Sequence, residues 1–235
     1  MRTRGAFILF LACLAFLPMK AFSANVVGFV NEQFGPGDTL FGNPLLNTFN
    51  DLNHLFDPTY VPQGTTISLW DATSHQWAQS STFLDGTWSV DLELNPGTGA
   101  LLHTSSLFLN TFVGTVLNAD GSPYTGNGII PPPPFAGPNG TYLWSSKVPA
   151  QFPQNGPVWN YIVGRDPHEG EQFSTLTSIT TFTHGAWDNG DPFLNVGQAA
   201  FFNIGPSVPE PSVAGLAVAG VATLWASGRA RRVRR

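Results

Sequence analysis

The sequence predicts an all-β fold, and three observations carry that expectation: strict alternation of polar and apolar residues, turn dipeptides beside the alternating runs, and a composition poor in helix-favouring charge. Charged residues make up 11% of the 235, against roughly 25% in an average globular chain, while glycine (25) and proline (20) are abundant. Such a chain favours turns and strands over helices.

The clearest strand is residues 87–94, in which Trp88, Val90, Leu92 and Leu94 alternate with polar residues and share one face. The dipeptide Asp85-Gly86 before it is a two-residue hairpin turn, because both positions of such a turn take positive φ and glycine does so without strain. Residues 65–70, 101–109, 175–182 and 198–204 read as further strands. One helix is expected over residues 46–56, where Leu46, Phe49, Leu52, Leu55 and Phe56 recur at helical spacing.

An internal repeat organises these elements. Phe83-x-x-Gly86-x-Trp88 returns as Phe182-x-x-Gly185-x-Trp187, and Leu94-Asn95-x-Gly97-x-x-Ala100 returns as Leu194-Asn195-x-Gly197-x-x-Ala200. Near the start of each copy Val27-Gly28-x-Val30 corresponds to Val113-Gly114-x-Val116. The early landmark is offset by 86 residues and the later ones by 99 or 100, so the second copy carries an insertion, assigned to the Pro/Gly-rich run 131–140. The expected organisation is therefore a signal peptide over 1–24, a first β-unit over 25–111, a second over 112–207 and a sorting or anchor segment over 208–235. The two units are expected to share a sandwich- or barrel-like ectodomain, flanked by an N-terminal signal helix and a C-terminal transmembrane helix. Both tryptophans of the repeat, Trp88 and Trp187, are expected at equivalent buried positions.

Charge is distributed unevenly. Eight of the ten basic residues lie in the terminal segments, leaving Lys147 and Arg165 against fourteen carboxylates between residues 25 and 207, a net charge of −12. A surface of that sign repels phosphate backbones, which excludes nucleic acid as a partner. The single cysteine, Cys13, lies in the apolar part of the leader, so no disulfide is expected in the mature chain.

The two ends read as export signals. Arg2 and Arg4 precede an apolar run over residues 5–18 and a small-x-small site at Ala21-Phe22-Ser23, so cleavage is expected after Ser23 or Ala24. At the other end Val208, Pro209, Glu210 and Pro211 precede an uncharged segment, residues 212–228, followed by Arg229, Arg231, Arg232, Arg234 and Arg235. Those 17 apolar residues span only about 25 Å as a helix, which suits a segment held briefly in a bilayer and then cut. The arginines hold the end in the cytoplasm and leave everything before it outside.

Pro-Glu-Pro, an apolar segment and a terminal arginine cluster, in that order, resemble the PEP-CTERM sorting signal of Gram-negative-type bacteria. The resemblance covers about the last 28 residues and implies processing by signal peptidase and by an exosortase-type membrane enzyme. It further implies transient residence in the inner membrane and a destination at the cell surface or in exopolysaccharide and biofilm matrix. The run Asn25-Val-Val-Gly-Phe-Val-Asn31, with Leu40-Phe-Gly-Asn-Pro-Leu45 and the repeated blocks, resembles uncharacterised surface proteins of the Verrucomicrobia and their relatives.

No catalytic set is expected. His54, His75, His103, His168 and His184 lack metal-ligand spacing, and neither a Gly-x-Ser-x-Gly elbow nor a phosphate-cradling loop occurs. His168-Glu169-Gly170-Glu171 lacks the second histidine of a zinc-protease helix. Asp188-Asn189-Gly190-Asp191 offers oxygen ligands but reads better as a turn, and Asp91 with Glu93 as a solvated strand face. Neither a cofactor nor a metal is expected. The function expected from this reading is structural or adhesive, with carbohydrate binding as the alternative. Sugar rings stack on exposed aromatic faces, and Trp77, Trp144 and Trp159, which lie near predicted loops, are the stacking candidates.

Overall fold

The computed structural model describes residues 26–126, 129–148 and 158–205. The leader, the sorting residues Val208 to Pro211 and the arginine tail lie outside these residues, as do the signal and transmembrane helices expected there. The protein is mostly β, with 44% strand and 6% helix.

Strands β1 (Val27–Phe34) and β7 (Phe108–Thr115) form an antiparallel ribbon. A five-stranded sheet has the order β2-β6-β3-β4-β5, built from β2 (Gly37–Gly42), β3 (Thr66–Asp71), β4 (Gln76–Leu84), β5 (Thr87–Trp88) and β6 (Gly99–Thr104). A second has the order β8-β12-β9-β10-β11, built from β8 (Gly140–Ser145), β9 (Gln172–Ser174), β10 (Ile179–Thr183), β11 (Ala186–Trp187) and β12 (Ala199–Ile204). A short helix interrupts each connection to the third strand in the series, α1 (Leu52–Leu55) before β3 and α2 (Val158–Val163) before β9. Strand for strand, the two sheets have one topology.

The repeated residues occupy matching registers. Phe83 opposes Trp88 as Phe182 opposes Trp187, and the intervening pairs Asp85-Gly86 and His184-Gly185 all take positive φ. That conformation matches the twist of the flanking strands, which is why a two-residue loop suffices. The Leu-Asn-x-Gly-x-x-Ala block has an equally direct cause. Leu94 and Leu194 are core residues, Asn95 and Asn195 accept the backbone N–H of Thr98 and Gln198, Gly97 and Gly197 take positive φ, and Ala100 and Ala200 are fully buried.

Each sheet has two buried faces. One face of the first sheet, with Phe41, Ile67, Phe83 and Leu102, packs beneath Leu52, Leu55 and Phe56 at α1 and beneath Phe34, Phe108 and Phe112 of the ribbon. The second sheet packs Phe173, Phe202 and Ile204 beneath Val158, Trp159 and Val163 of α2. The opposite faces meet each other, Leu40, Leu101 and Trp70 against Leu143, Ala199 and Phe201. Two hydrogen bonds at equivalent positions stitch this seam: Gly42 N–H to Gly197 C=O at 2.8 Å and Ser145 N–H to Gly97 C=O at 3.0 Å. Gly99 allows the close approach, since a Cβ there would sit 2.7 Å from Cγ of Leu143.

Several sequence expectations change. Only residues 52–55 of the expected helix are helical, and Leu46 and Phe49 are exposed. Asparagine side chains explain the late start: Asn50 Oδ1 accepts from Asn47 N–H and Asn43 Nδ2, and Asn43 Oδ1 accepts from Leu45 N–H, holding a loop until Asp51 caps the helix. The alternating run 87–94 is strand only over Thr87–Trp88. Trp88, Leu92 and Leu94 are buried as expected, but Val90 is exposed and its N–H bonds Ser81 Oγ in place of a ladder partner. The expected strand 101–109 is divided by a turn in which Thr104 Oγ1 bonds both backbone groups of Ser106, and β7 crosses the expected unit boundary at 111/112. In 175–182 the strand begins only at Ile179, after a turn closed by Thr175 N–H to Ser178 C=O.

Candidate functional site

The three tryptophans expected to stack on sugars have three different fates. Trp159 is a core residue, which corrects its assignment: it lies on the inner face of α2 at 1% exposure, with its ring 5.3 Å from Trp187 and 5.5 Å from Phe202. The short helix turns its apolar residues onto the sheet, and nothing in a 6-residue segment flanked by prolines announces that helix from sequence. Trp77 is 40% exposed and packs edge-on against Trp70 and Phe201, closing the mouth of the seam between the sheets. Trp144 is half-buried on β8, stacked on Tyr142 at 4.6 Å and flanked by Phe135 and Phe202. Trp77, on β4 of the first sheet, packs against Phe201 on the seam face of the second sheet, whereas Trp144 packs against Phe202 on the opposite face, so the three do not form one platform.

Trp144 borders a cleft of about 500 Å³, with Thr98, Lys147, Tyr161 and the proline run as its other walls. The run is held in place by Phe135 N–H to Val163 C=O at 2.8 Å and by Gly164, whose positive φ and missing Cβ let the Pro133 carbonyl approach. Lys147 crosses Gly97 with its aliphatic stem and carries its ammonium toward Gly121 and Asp120. Hydrogen bonds from the Ser122 hydroxyl and backbone N–H hold the Asp120 carboxyl below its ordinary pKa, with Lys147 adding a smaller electrostatic contribution. The cleft thus offers aromatic edges, hydroxyls and one cation.

Charge elsewhere is committed to structure. Glu171 is wholly buried and is met by both guanidinium nitrogens of Arg165, at 2.6 and 2.9 Å, and by His168 N–H at 2.8 Å. The first unit solves the equivalent position without charge, through Thr65 Oγ1 to Thr104 Oγ1 at 3.1 Å. Sequence reading missed the Arg165–Glu171 pair because six residues of irregular loop carry no periodicity that would bring the two together. Asp188 in the Asp-Asn-Gly-Asp turn accepts Thr181 N–H and Thr180 Oγ1, and the Thr181 bond is the largest influence, holding its carboxyl below the ordinary value. Asp91 accepts Asn53 N–H at α1, and Glu93 accepts from Asn95. His54 and His103 pair with Asp51 and Asp38, while His75 and His184 occupy positive-φ turn positions. Among the described residues no three His, Cys, Asp or Glu side chains converge to hold a metal, and no helix is long and apolar enough to cross a membrane.

One carboxyl stands apart. Glu32 of β1 is half-buried with its head against Gly197 at the seam, finds no hydrogen-bond partner among the described residues, and is pushed up by desolvation to a pKa of about 7. The folded state therefore favours the neutral acid. Its contribution is fully present below the unfolded value near 4.5 and is lost as pH rises through about 7. Glu32→Gln is expected to leave stability unchanged at pH 4 and to raise it at pH 8 by about 1 kcal/mol, a figure discounted for the partial exposure. Denaturant midpoints at the two pH values check it, and an equal shift at both would remove the explanation.

Comparison of the chain with protein-family models, with curated proteins and with solved structures finds no match.

Proposed function

We propose that the chain is an exported envelope protein with a structural or adhesive role and no catalytic activity. In this reading residues 1–24 are removed by signal peptidase and residues 208–235 are sorted by an exosortase-type enzyme at the inner membrane. The remainder, two β-units that arose by duplication and pack as a sandwich, stays at the cell surface or enters an exopolysaccharide matrix. The observation that carries it is the order of Pro209-Glu210-Pro211, seventeen uncharged residues and five arginines. The topology of the two sheets supports the duplication, because strand order and register repeat together with the sequence blocks.

Replacing Pro209, Glu210 and Pro211 together by alanine tests the sorting step in the exporting host. The variant is expected to accumulate uncut in the inner membrane while the parent chain leaves it. Equal distribution of the two across cell fractions would remove the sorting motif from the account.

A second reading, a module that binds matrix polysaccharide, is favoured by Trp77 at the seam mouth and by the cleft beside Trp144, where Tyr161 and Lys147 supply polar contacts. Affinity electrophoresis through gels containing neutral or acidic polysaccharides is expected to retard the parent chain. Trp77→Ala, exposed enough to leave the fold intact, is expected to migrate faster in the same gel. Free migration of the parent in every gel would end this reading.

A further inference from the structure

The ribbon of β1 and β7 presents one face to the core and the other to solvent. On the outer face the cross-strand pairs are Val27 with Thr115, Phe29 with Val113, Asn31 with Thr111 and Gln33 with Leu109. Phe29 is 72% exposed, Val27 69%, and Leu109 and Val113 about half exposed. A shallow groove lined by Val27, Leu46 and Val113 continues the patch past the edge of β7. None of the eight outward residues is charged, in a stretch of chain that bears fourteen carboxylates. Contiguous exposed apolar surface of this kind marks a contact site rather than a solvated face.

We infer that this face is the contact through which two copies of the chain associate. The charge distribution selects that occupant. With a net charge of −12 over residues 25–207, two copies repel each other wherever carboxylates line the approach, and repulsion is least across the uncharged ribbon. The face carries no ion to select an acidic or basic partner. It can also meet a copy of itself: apolar side chains flank the Asn31–Thr111 pair on both sides, Phe29 and Val113 on one and Leu109 on the other. Thr111 Oγ1 donates to Asn31 Oδ1 at 2.7 Å, which leaves the Asn31 amide hydrogens to bond the opposing copy. Stacked ribbons bury the flanking apolar side chains and keep these polar groups paired.

The area sets the strength. Eight outward residues, on strands rising about 3.4 Å per residue and lying about 4.8 Å apart, cover roughly 260 Å² per copy. The total of roughly 520 Å² is well below the about 1,200 Å² at which stable complexes begin, so the pair is weak and forms where copies are concentrated. Added salt is expected to strengthen it by screening the surrounding carboxylates. The pairing does not depend on the route by which the chain is exported.

The test uses the full chain in its exporting host, with Cys13→Ser removing the leader thiol and a single cysteine placed at Asn31, at Thr111, or at Thr177 on an exposed turn of the second unit. Mild oxidation is expected to give a disulfide-linked dimer with Asn31→Cys and with Thr111→Cys, and monomer with Thr177→Cys. Adding Phe29→Asp to Asn31→Cys is expected to abolish the dimer. Sedimentation of the purified mature protein is expected to show reversible dimerisation, weakened at least tenfold by Phe29→Asp. Equal cross-linking from Thr177, a mixed disulfide with another protein, or no dimer at Asn31 because residues 1–25 or 206–235 cover the ribbon would each overturn the proposal.

Discussion

Arg165→Ala is expected to destabilise the protein by about 3–5 kcal/mol, the usual cost of leaving a buried ionised partner alone. The Glu171 carboxylate is wholly buried, and the guanidinium supplies two of its three bonds. Without it, the carboxylate keeps only the His168 N–H, and it must either take up a proton or draw water into the second core. The double variant Arg165→Met with Glu171→Met separates charge from packing, because replacing both members by apolar residues of similar volume removes the desolvation penalty together with the attraction. It is expected to recover most of the loss in a urea titration. A double variant as unstable as Arg165→Ala would show that the packing of the loop, and not the unpaired charge, sets the cost.

Trp88→Ala and Trp187→Ala are expected to differ, although the two residues hold the same topological position. Trp88 is 5% exposed and packs edge-on against Phe56 at 5.6 Å and Phe83 at 5.4 Å, beneath the ribbon. Its removal opens a cavity between the sheet and α1, at a cost of about 3–5 kcal/mol. Trp187 touches Trp159 and Phe182 but remains partly open to solvent, because no ribbon among the described residues covers the second sheet. Its loss is expected at about 1–2 kcal/mol, since a half-buried site leaves a smaller cavity. Equilibrium unfolding of both variants checks the ranking, and equal losses would contradict the asymmetry of the two cores.

The features legible in the sequence are those whose cause is local. Asp85-Gly86 announces its hairpin because few residues accept positive φ twice in succession, and the Leu-Asn-x-Gly-x-x-Ala block repeats because each position has a fixed task in a turn leading into a core strand. Alternation correctly places Trp88, Leu92 and Leu94 inside without showing that only Thr87 and Trp88 of the run join a ladder, because burial and hydrogen bonding are separate constraints. Features that depend on distant contacts were not legible. The equivalence of Gly42 and Ser145 at the seam has no counterpart in residue identity, and Gly99 looks like any turn glycine until Leu143 is seen against it. Trp159 read as a loop aromatic because the chain that buries it is far away in sequence, with Phe202 on β12. The ribbon was invisible for a related reason. Val27-Gly28-x-Val30 and Val113-Gly114-x-Val116 were aligned as copies, and the structure pairs Gly28 with Gly114 across one ladder.

Intact mass of the protein recovered from the envelope of its own host tests the central proposal most directly. The account predicts a chain that begins at Ala24 or Asn25 and has lost the apolar segment and arginine tail that follow Pro211. A chain that still carries Arg235, lodged in the inner membrane, would contradict it.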